Sequence, residues 1–204
     1  MIEISKQLTR AARGAVKVHA ARAASSVVRR ARDAGLLDVG YGYTDTPFGR
    51  MLVAVTPKGL VRVAMRTESP DEVLQELSDR LSPRVLEAPI AVDAVRRELD
   101  EYFEGKRQVF DLPLDWALSS GFREKVLRAT ARIPYGGVSS YREMATRAGN
   151  ARASRAAGSA LATNPIPIVV PCHRVLRTGG HLGGYGGGLA MKEALLKMEG
   201  VRLA

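Results

Sequence analysis

Between residues 39 and 66 apolar and polar positions alternate in short runs rich in β-branched side chains, which predicts strands at 41–45, 50–56 and 60–66. Pro47-Phe48-Gly49 and Pro57-Lys58-Gly59 are turn formers between them, so the three read as an antiparallel meander. The period then lengthens. Ser69-Pro70-Asp71-Glu72 opens a helix with a capping serine, proline at the first position and acids in the first turn, and Leu74, Leu77 and Leu81 follow on one face. A second helix over 92–103 gathers Val92, Val95, Leu99 and Tyr102, and 109–112 reads as an edge strand before Pro113. After Trp116 helices dominate. Ser119 or Ser120 caps one that carries Phe122, Val126, Ala129 and Ile133, and Pro134-Tyr135-Gly136-Gly137 breaks it. Ser140-Tyr141-Arg142-Glu143 is a capping box; the helix it starts ends near Gly149-Asn150, and another runs over 151–162. Two short helices joined by a glycine-containing turn resemble a helix-turn-helix. A last helix over 189–199 places Met191, Leu195 and Met198 together. The chain thus divides into a basic extension (1–38), an α+β scaffold with a small antiparallel sheet (39–113) and a mostly helical part (114–204).

Composition narrows the function classes. The 204 residues are 46% hydrophobic and 25% charged, as in a soluble globular protein. A single cysteine excludes an internal disulfide and a Cys-rich zinc site, and His19, His173 and His181 offer no ligand spacing, so no metal or other cofactor is expected. No run of about 18 apolar residues exists, which excludes a membrane-spanning helix. Thirty-one basic against 21 acidic residues, a net charge of +10, suits a polyanionic partner, and a merely solvated arginine-rich surface fits the same balance equally well. Residues 1–38 hold eight of those basic residues and three acids, with Ile4, Leu8, Ala11, Ala15 and Val18 at helical spacing. A transit peptide, a DNA-contacting arm and a solvated helix all fit that pattern.

The chemistry concentrates near the C-terminal end. In Pro165-Ile166-Pro167-Ile168-Val169-Val170-Pro171-Cys172-His173-Arg174-Val175, apolar β-formers lead to the sole cysteine and prolines punctuate the run, which predicts a buried strand ending in a stiff turn. A buried lone cysteine is commonly inert; one held on a stiff turn beside a histidine is a candidate nucleophile. Upstream, the 151–162 helix is nearly without bulk (Ala153, Ala156, Ala157, Gly158, Ser159, Ala160) but carries Arg152 and Arg155. Small side chains suit either tight internal packing or close approach to a partner, and the two arginines favour a nucleic acid. Downstream, 179–188 has seven glycines in ten residues, a spacing that is neither a P-loop nor GxGxxG.

These residues carry a resemblance. Pro171-Cys172-His173-Arg174-Val175, with Asn164-Pro165-Ile166-Pro167 before it, Gly184-Tyr185-Gly186-Gly187-Gly188-Leu189 after it, and Ile133-Pro134-Tyr135-Gly136 and Val138-Ser139-Ser140-Tyr141 upstream, resembles the O6-alkylguanine-DNA alkyltransferases over about residues 116–200. The resemblance implies a ribonuclease H-like scaffold followed by a winged helix-turn-helix. It implies a single-turnover reaction in which Cys172 takes an alkyl group from O6 of guanine, and also from O4 of thymine, in duplex DNA. His173 and Glu199 would form the proton relay, Asn164 would fix the turn, and Tyr141 would crowd the rotating phosphate and protonate the leaving base. Arg155 would fill the place of the flipped base, with Arg152, Ala156 and Gly158 on the DNA-contacting helix in the minor groove. Pro167, Val175, Tyr185 and Gly187 would line the alkyl pocket. The implied protein is a cytoplasmic (in a bacterium, nucleoid-associated) monomer that binds double-stranded DNA containing O6-alkylguanine, singly or cooperatively. A lesion-binding protein of the same fold would lack the nucleophile, and a thiol hydrolase would need a reusable nucleophile with oxyanion donors.

Overall fold

The computed structural model describes residues 37–202 together with Ser26, Arg30 and Gly35, so the basic extension expected over 1–38 lies almost wholly outside the described residues. Strands β1 (Val39–Thr46), β2 (Gly49–Thr56) and β3 (Gly59–Ala64) form the expected antiparallel meander. Thr46 closes the first turn: its hydroxyl donates to the Gly49 carbonyl at 2.7 Å and accepts from the Phe48 amide at 3.1 Å. Successive β2 side chains point to opposite faces, so Met51 and Val53 enter one apolar cluster and Leu52 and Ala54 another. Helix α1 (Pro70–Arg80) covers the second face with Val73 and Leu77. Helix α2 (Asp93–Phe103), entered through a 3-10 turn at Pro89–Val92, covers the first with Val95, Leu99 and Tyr102.

The sheet's two outer edges differ from the sequence reading. A fourth strand, β4 (Val85–Glu87), pairs parallel with β1, giving the order β3-β2-β1-β4. It is three residues long with Leu86 exposed, so it shows no alternation. The edge strand expected at 109–112 is absent. The chain meets β3 at one bridge only, Leu60 with Leu114, because Pro113 has no N–H to extend the ladder. The Leu60 amide donates to the Pro113 carbonyl at 2.8 Å, and a Cβ at Gly59 would overlap that carbonyl, which is why glycine stands there.

The helical half packs onto the same core. Helices α3 (Gly121–Thr130), α4 (Tyr141–Arg147) and α5 (Ser154–Ala162) send Val126, Leu127, Met144, Ala145, Ala157 and Leu161 into the cluster that holds Met51, Val53 and Leu99; α6 (Leu189–Met198) adds Met191 and Leu195. The capping box of α4 forms: the Ser140 hydroxyl accepts from the Glu143 amide at 3.2 Å, and the Glu143 carboxylate accepts from the Ser140 amide at 2.7 Å. Two helices are shorter than predicted. α3 stops before Ile133, since Pro134 disfavours helical geometry at the residue before it. α5 starts at Ser154 rather than 151, because Asn150 accepts the Arg152 amide on its side chain at 3.2 Å and the Ala153 amide on its carbonyl at 3.0 Å. A two-residue parallel ladder, β5 (Ser139–Ser140) with β6 (Val175–Leu176), joins the start of α4 to the residues just after Cys172. Among the described residues no helix is long and apolar enough to cross a membrane.

Candidate active site and nucleic-acid interface

The run predicted as a strand into Cys172 is a compact turn. Residues 164–171 hold one bridge, Pro167 with Val170, and Cys172–Arg174 is a single 3-10 turn. Pro165, Pro167 and Pro171 cannot donate to a ladder, and the fully buried Ile168 takes φ +74°, a region that costs a β-branched residue on the order of 1–3 kcal/mol. Asn164 holds the turn closed. Its amide nitrogen donates to the Val170 carbonyl at 2.8 Å and to Cys172 Sγ at 3.2 Å, while its oxygen accepts from the Ile166 amide at 3.0 Å. From outside, the Val63 amide of β3 donates to the Pro165 carbonyl at 2.8 Å. The scaffold sheet therefore grips the loop that carries the thiol.

Next to Cys172 in the chain begins a buried, hydrogen-bonded set of charged and polar side chains. His173 Nε2 is 2.9 Å from Glu199 Oε1, and Arg174 clamps the carboxylate with Nε on Oε2 and Nη2 on Oε1, both at 2.8 Å. Burial pushes the Glu199 carboxyl up, but the hydrogen bonds from His173 and Arg174 outweigh it and hold the group at about 2. Glu199 is therefore ionised, so His173 donates from Nε2 and keeps its lone pair on Nδ1. That Nδ1 is buried and meets no protein partner. Burial also lowers His173 below its usual value, the Glu199 charge offsetting this only in part, which leaves a neutral imidazole with one free acceptor. The Cys172 thiol is pushed up by burial, with the Asn164 hydrogen bond and the Lys192 charge pulling the other way. Lys192 is itself fully buried; burial lowers it to about 8, and its ammonium donates to the Val175 carbonyl at 2.6 Å.

Two cavities meet at the thiol. One of about 620 Å³ is walled by Tyr141, Arg155, Gly158, Cys172, Arg177 and Tyr185. The other, about 450 Å³, leads past Asn164, Pro167 and Tyr185 towards Arg62 and Arg123. The β5–β6 ladder sets Tyr141 beside Cys172, since Tyr141 follows Ser140 directly and Ser140 pairs with Leu176. The Tyr141 ring lies against Gly183, where a Cβ would overlap its hydroxyl, and burial raises its pKa. Helix α5 shows two faces. Ala157, Ala160 and Leu161 are buried, as tight internal packing of small residues requires, while Arg155, Ala156 and Ser159 are exposed. Around it Arg142, Arg147, Arg152, Arg155 and Arg177 are exposed, and none pairs with a carboxylate among the described residues.

The structure brings together Cys172, His173, Asn164 and Glu199, with Tyr141, Arg155, Gly158, Pro167 and Tyr185 on the walls of the two cavities. Ala156 and Arg152 lie on the outer surface nearby. Val175 and Gly187 fall elsewhere: Val175 is fully buried in β6, and Gly187 lines a separate cavity with Met51, Met65 and Met191. Sequence reasoning missed Tyr102, whose hydroxyl donates to Glu199 Oε1 at 2.6 Å, as well as Lys192 and Gly183. Tyr102 reads as one apolar position of a helix, and Lys192 belongs to no motif in the sequence.

Fold and site together define a class: an α+β scaffold that grips a helix-turn-helix unit whose lone cysteine, followed by a histidine hydrogen-bonded to a buried glutamate, lines two cavities. Residues 39–116 match the ribonuclease-like domain of 6-O-methylguanine DNA methyltransferase, and residues 121–201 match its DNA binding domain. The methylated-DNA–protein-cysteine methyltransferase of Methanosarcina barkeri is 36% identical over 164 residues, spanning 78% of this chain and 96% of its own. The constitutive enzyme of that name from Bacillus subtilis is 35% identical, spanning 78% and 94%. Among solved structures, Mycobacterium tuberculosis OGT in complex with DNA superposes with a TM-score of 0.68 at 35% identity, covering 79% of this chain and 93% of that one. The chain belongs to the methylated-DNA–protein-cysteine methyltransferase family.

Proposed function

We propose that this chain repairs DNA by moving an alkyl group, methyl in the simplest case, from O6 of guanine, and also from O4 of thymine, in duplex DNA onto Cys172, once per molecule. The observation that supports it most is the position of Cys172: its thiol faces the cavity shared by Tyr141 and Arg155, with a neutral His173 behind it whose free nitrogen is Nδ1. Residues 39–113 serve as scaffold and 114–204 as the DNA-binding and transfer unit, acting in the cytoplasm or, in a bacterium, on the nucleoid.

The reaction balances without a cofactor. The thiol proton passes to His173 Nδ1, directly or through a water, as Sγ attacks the alkyl carbon. The S–C bond forms, the C–O6 bond breaks, and the guanine leaves with a proton supplied by Tyr141, whose burial keeps the phenol protonated. Tyr141 regains that proton from the relay. Because burial raises the Cys172 pKa, the resting group is the thiol; it ionises only as attack proceeds, and the Lys192 charge and the Asn164 amide favour the thiolate at that moment.

The target base lies within a duplex, so it has to leave the stack at a cost of a few kcal/mol. Arg155, exposed beside Ala156 and Gly158, occupies the vacated place, and the small outer face of α5 lets the backbone approach the minor groove. Intact-mass measurement after exposure to an O6-methylguanine duplex should show one added methyl group per chain, on Cys172. No mass shift would reject the reading. Cys172→Ser should bind the same duplex and transfer nothing, and Arg155→Ala should lose more rate on duplex DNA than on free O6-benzylguanine.

A further inference from the structure

The Glu199 carboxylate has a partner outside the helical half. Tyr102, near the end of α2, is fully buried, and its hydroxyl donates to Glu199 Oε1 at 2.6 Å. The same oxygen takes His173 Nε2 at 2.9 Å and Arg174 Nη2 at 2.8 Å, while Oε2 takes Arg174 Nε at 2.8 Å and the Gly136 amide at 3.4 Å. The Tyr102 ring packs edge-on to Phe103 and Tyr135 and tilted against Phe110, surroundings a phenylalanine would fill equally well. A buried hydroxyl is costly unless bonded, and this one is aimed at the carboxylate that holds the relay histidine.

We propose that Tyr102 is a positioning residue of the transfer reaction: through its hydrogen bond to Glu199 Oε1, the scaffold half sets how strongly that oxygen holds the His173 N–H. Three donors share one oxygen, and each reduces the charge felt by the others. With the phenol in place, Glu199 is a weaker partner for an imidazolium, so His173 stays neutral and Nδ1 stays open. Without it the carboxylate pulls harder on His173, which then binds its proton at higher pH and is occupied as a base. The other groups facing this pair are unaltered: Arg174 on Glu199, Tyr135 beside it, and Lys192 and the Tyr185 ring near His173.

The inference rests on the transfer reaction proposed above, and one experiment separates the two. Methyl transfer from an O6-methylguanine duplex is timed by intact mass for the full chain and for Tyr102→Phe, from about pH 5.5 to 9. The acid limb of the Tyr102→Phe rate profile should move up by about half to one pH unit, a roughly three- to tenfold loss on the acid side with little loss on the alkaline plateau. Tyr135→Phe, which removes a hydroxyl donated to the Met198 carbonyl at 3.0 Å, should leave the limb in place. If Tyr102→Phe does not fold, 3-fluorotyrosine at position 102 keeps ring and hydroxyl but donates more strongly, and should move the limb down. A limb that coincides with that of the unsubstituted chain, or an equal loss at every pH, overturns the role of Tyr102. Absence of transfer by the unsubstituted chain is a different failure, that of the reaction itself.

Discussion

At the scale of single residues, Asn164 does the most with the fewest atoms. Its side chain satisfies the Ile166 amide and the Val170 carbonyl and still turns one N–H towards Sγ. Asn164→Asp replaces that donor with an anion beside a thiol already pushed up by burial. Transfer should slow by about tenfold or more at neutral pH, since a pKa unit is a factor of ten in thiolate, and recover in part as pH rises. A rate-against-pH series on the O6-methylguanine duplex checks both parts. Gly183 is a steric counterpart: Gly183→Ala places a methyl group where the Tyr141 hydroxyl lies, so the phenol must move. Its transfer rate should fall while the chain remains folded by circular dichroism. Cys172, His173 and Tyr141 stand out in the sequence because their neighbours form a motif. Gly183 does not, since one glycine among many carries no sign of which tyrosine it meets.

At the scale of elements, local rules account for starts and stops. The Ser140–Glu143 capping box begins α4 one residue before Tyr141, so a weakened cap loosens a residue of the site as well as a helix. Ser140→Ala should cost about 1 kcal/mol in a urea titration. On α5, Arg152 is exposed and unpaired with any carboxylate among the described residues. Arg152→Ala should lower the slope of log affinity against log salt by about one if it meets a phosphate, leaving the rate of alkyl transfer from free O6-benzylguanine unchanged. Both helices were visible in the sequence through caps and turn residues. The turn that leads to Cys172 was not, because Ile166, Ile168, Val169 and Val170 have the composition of a strand. Prolines at 165, 167 and 171 and the side-chain bonds of Asn164 override that preference.

At the scale of the molecule, the buried hydrogen bonds of Glu199 and His173 bear on stability. Glu199 has a folded value of about 2 against an ordinary 4.5, and a depressed carboxyl stabilises the fold above the unfolded value. On the order of 3 kcal/mol should therefore be lost as pH falls from about 4.5 towards 2. His173, also depressed, acts in the same direction: its contribution is present above its ordinary value of 6.5 and fades as pH falls below it. Thermal unfolding should accordingly decline with acid from about pH 6.5 downwards. Glu199→Gln should flatten the part of that decline below about pH 4.5 while lowering stability at pH 7. The sheet and helices share one apolar cluster, and β3 holds the Cys172 loop at Pro165.

By itself the sequence determined what depends on neighbours along the chain: the meander, the serine-capped helices α1 and α4, the lone cysteine with its adjacent histidine, and a basic helix with small side chains. Periodicity, turn residues and caps are local, and a motif is a local pattern. Only the tertiary structure decided which half each partner comes from. The fourth strand pairs through three backbone positions without a side-chain pattern. Lys192 is buried beside the thiol rather than solvated, and the free nitrogen of His173 is Nδ1 because Glu199 takes the other. The Tyr102 hydroxyl reaches Glu199 from 97 residues away. Each of these follows from burial and from hydrogen bonds between distant segments, and neither exists until the chain has closed.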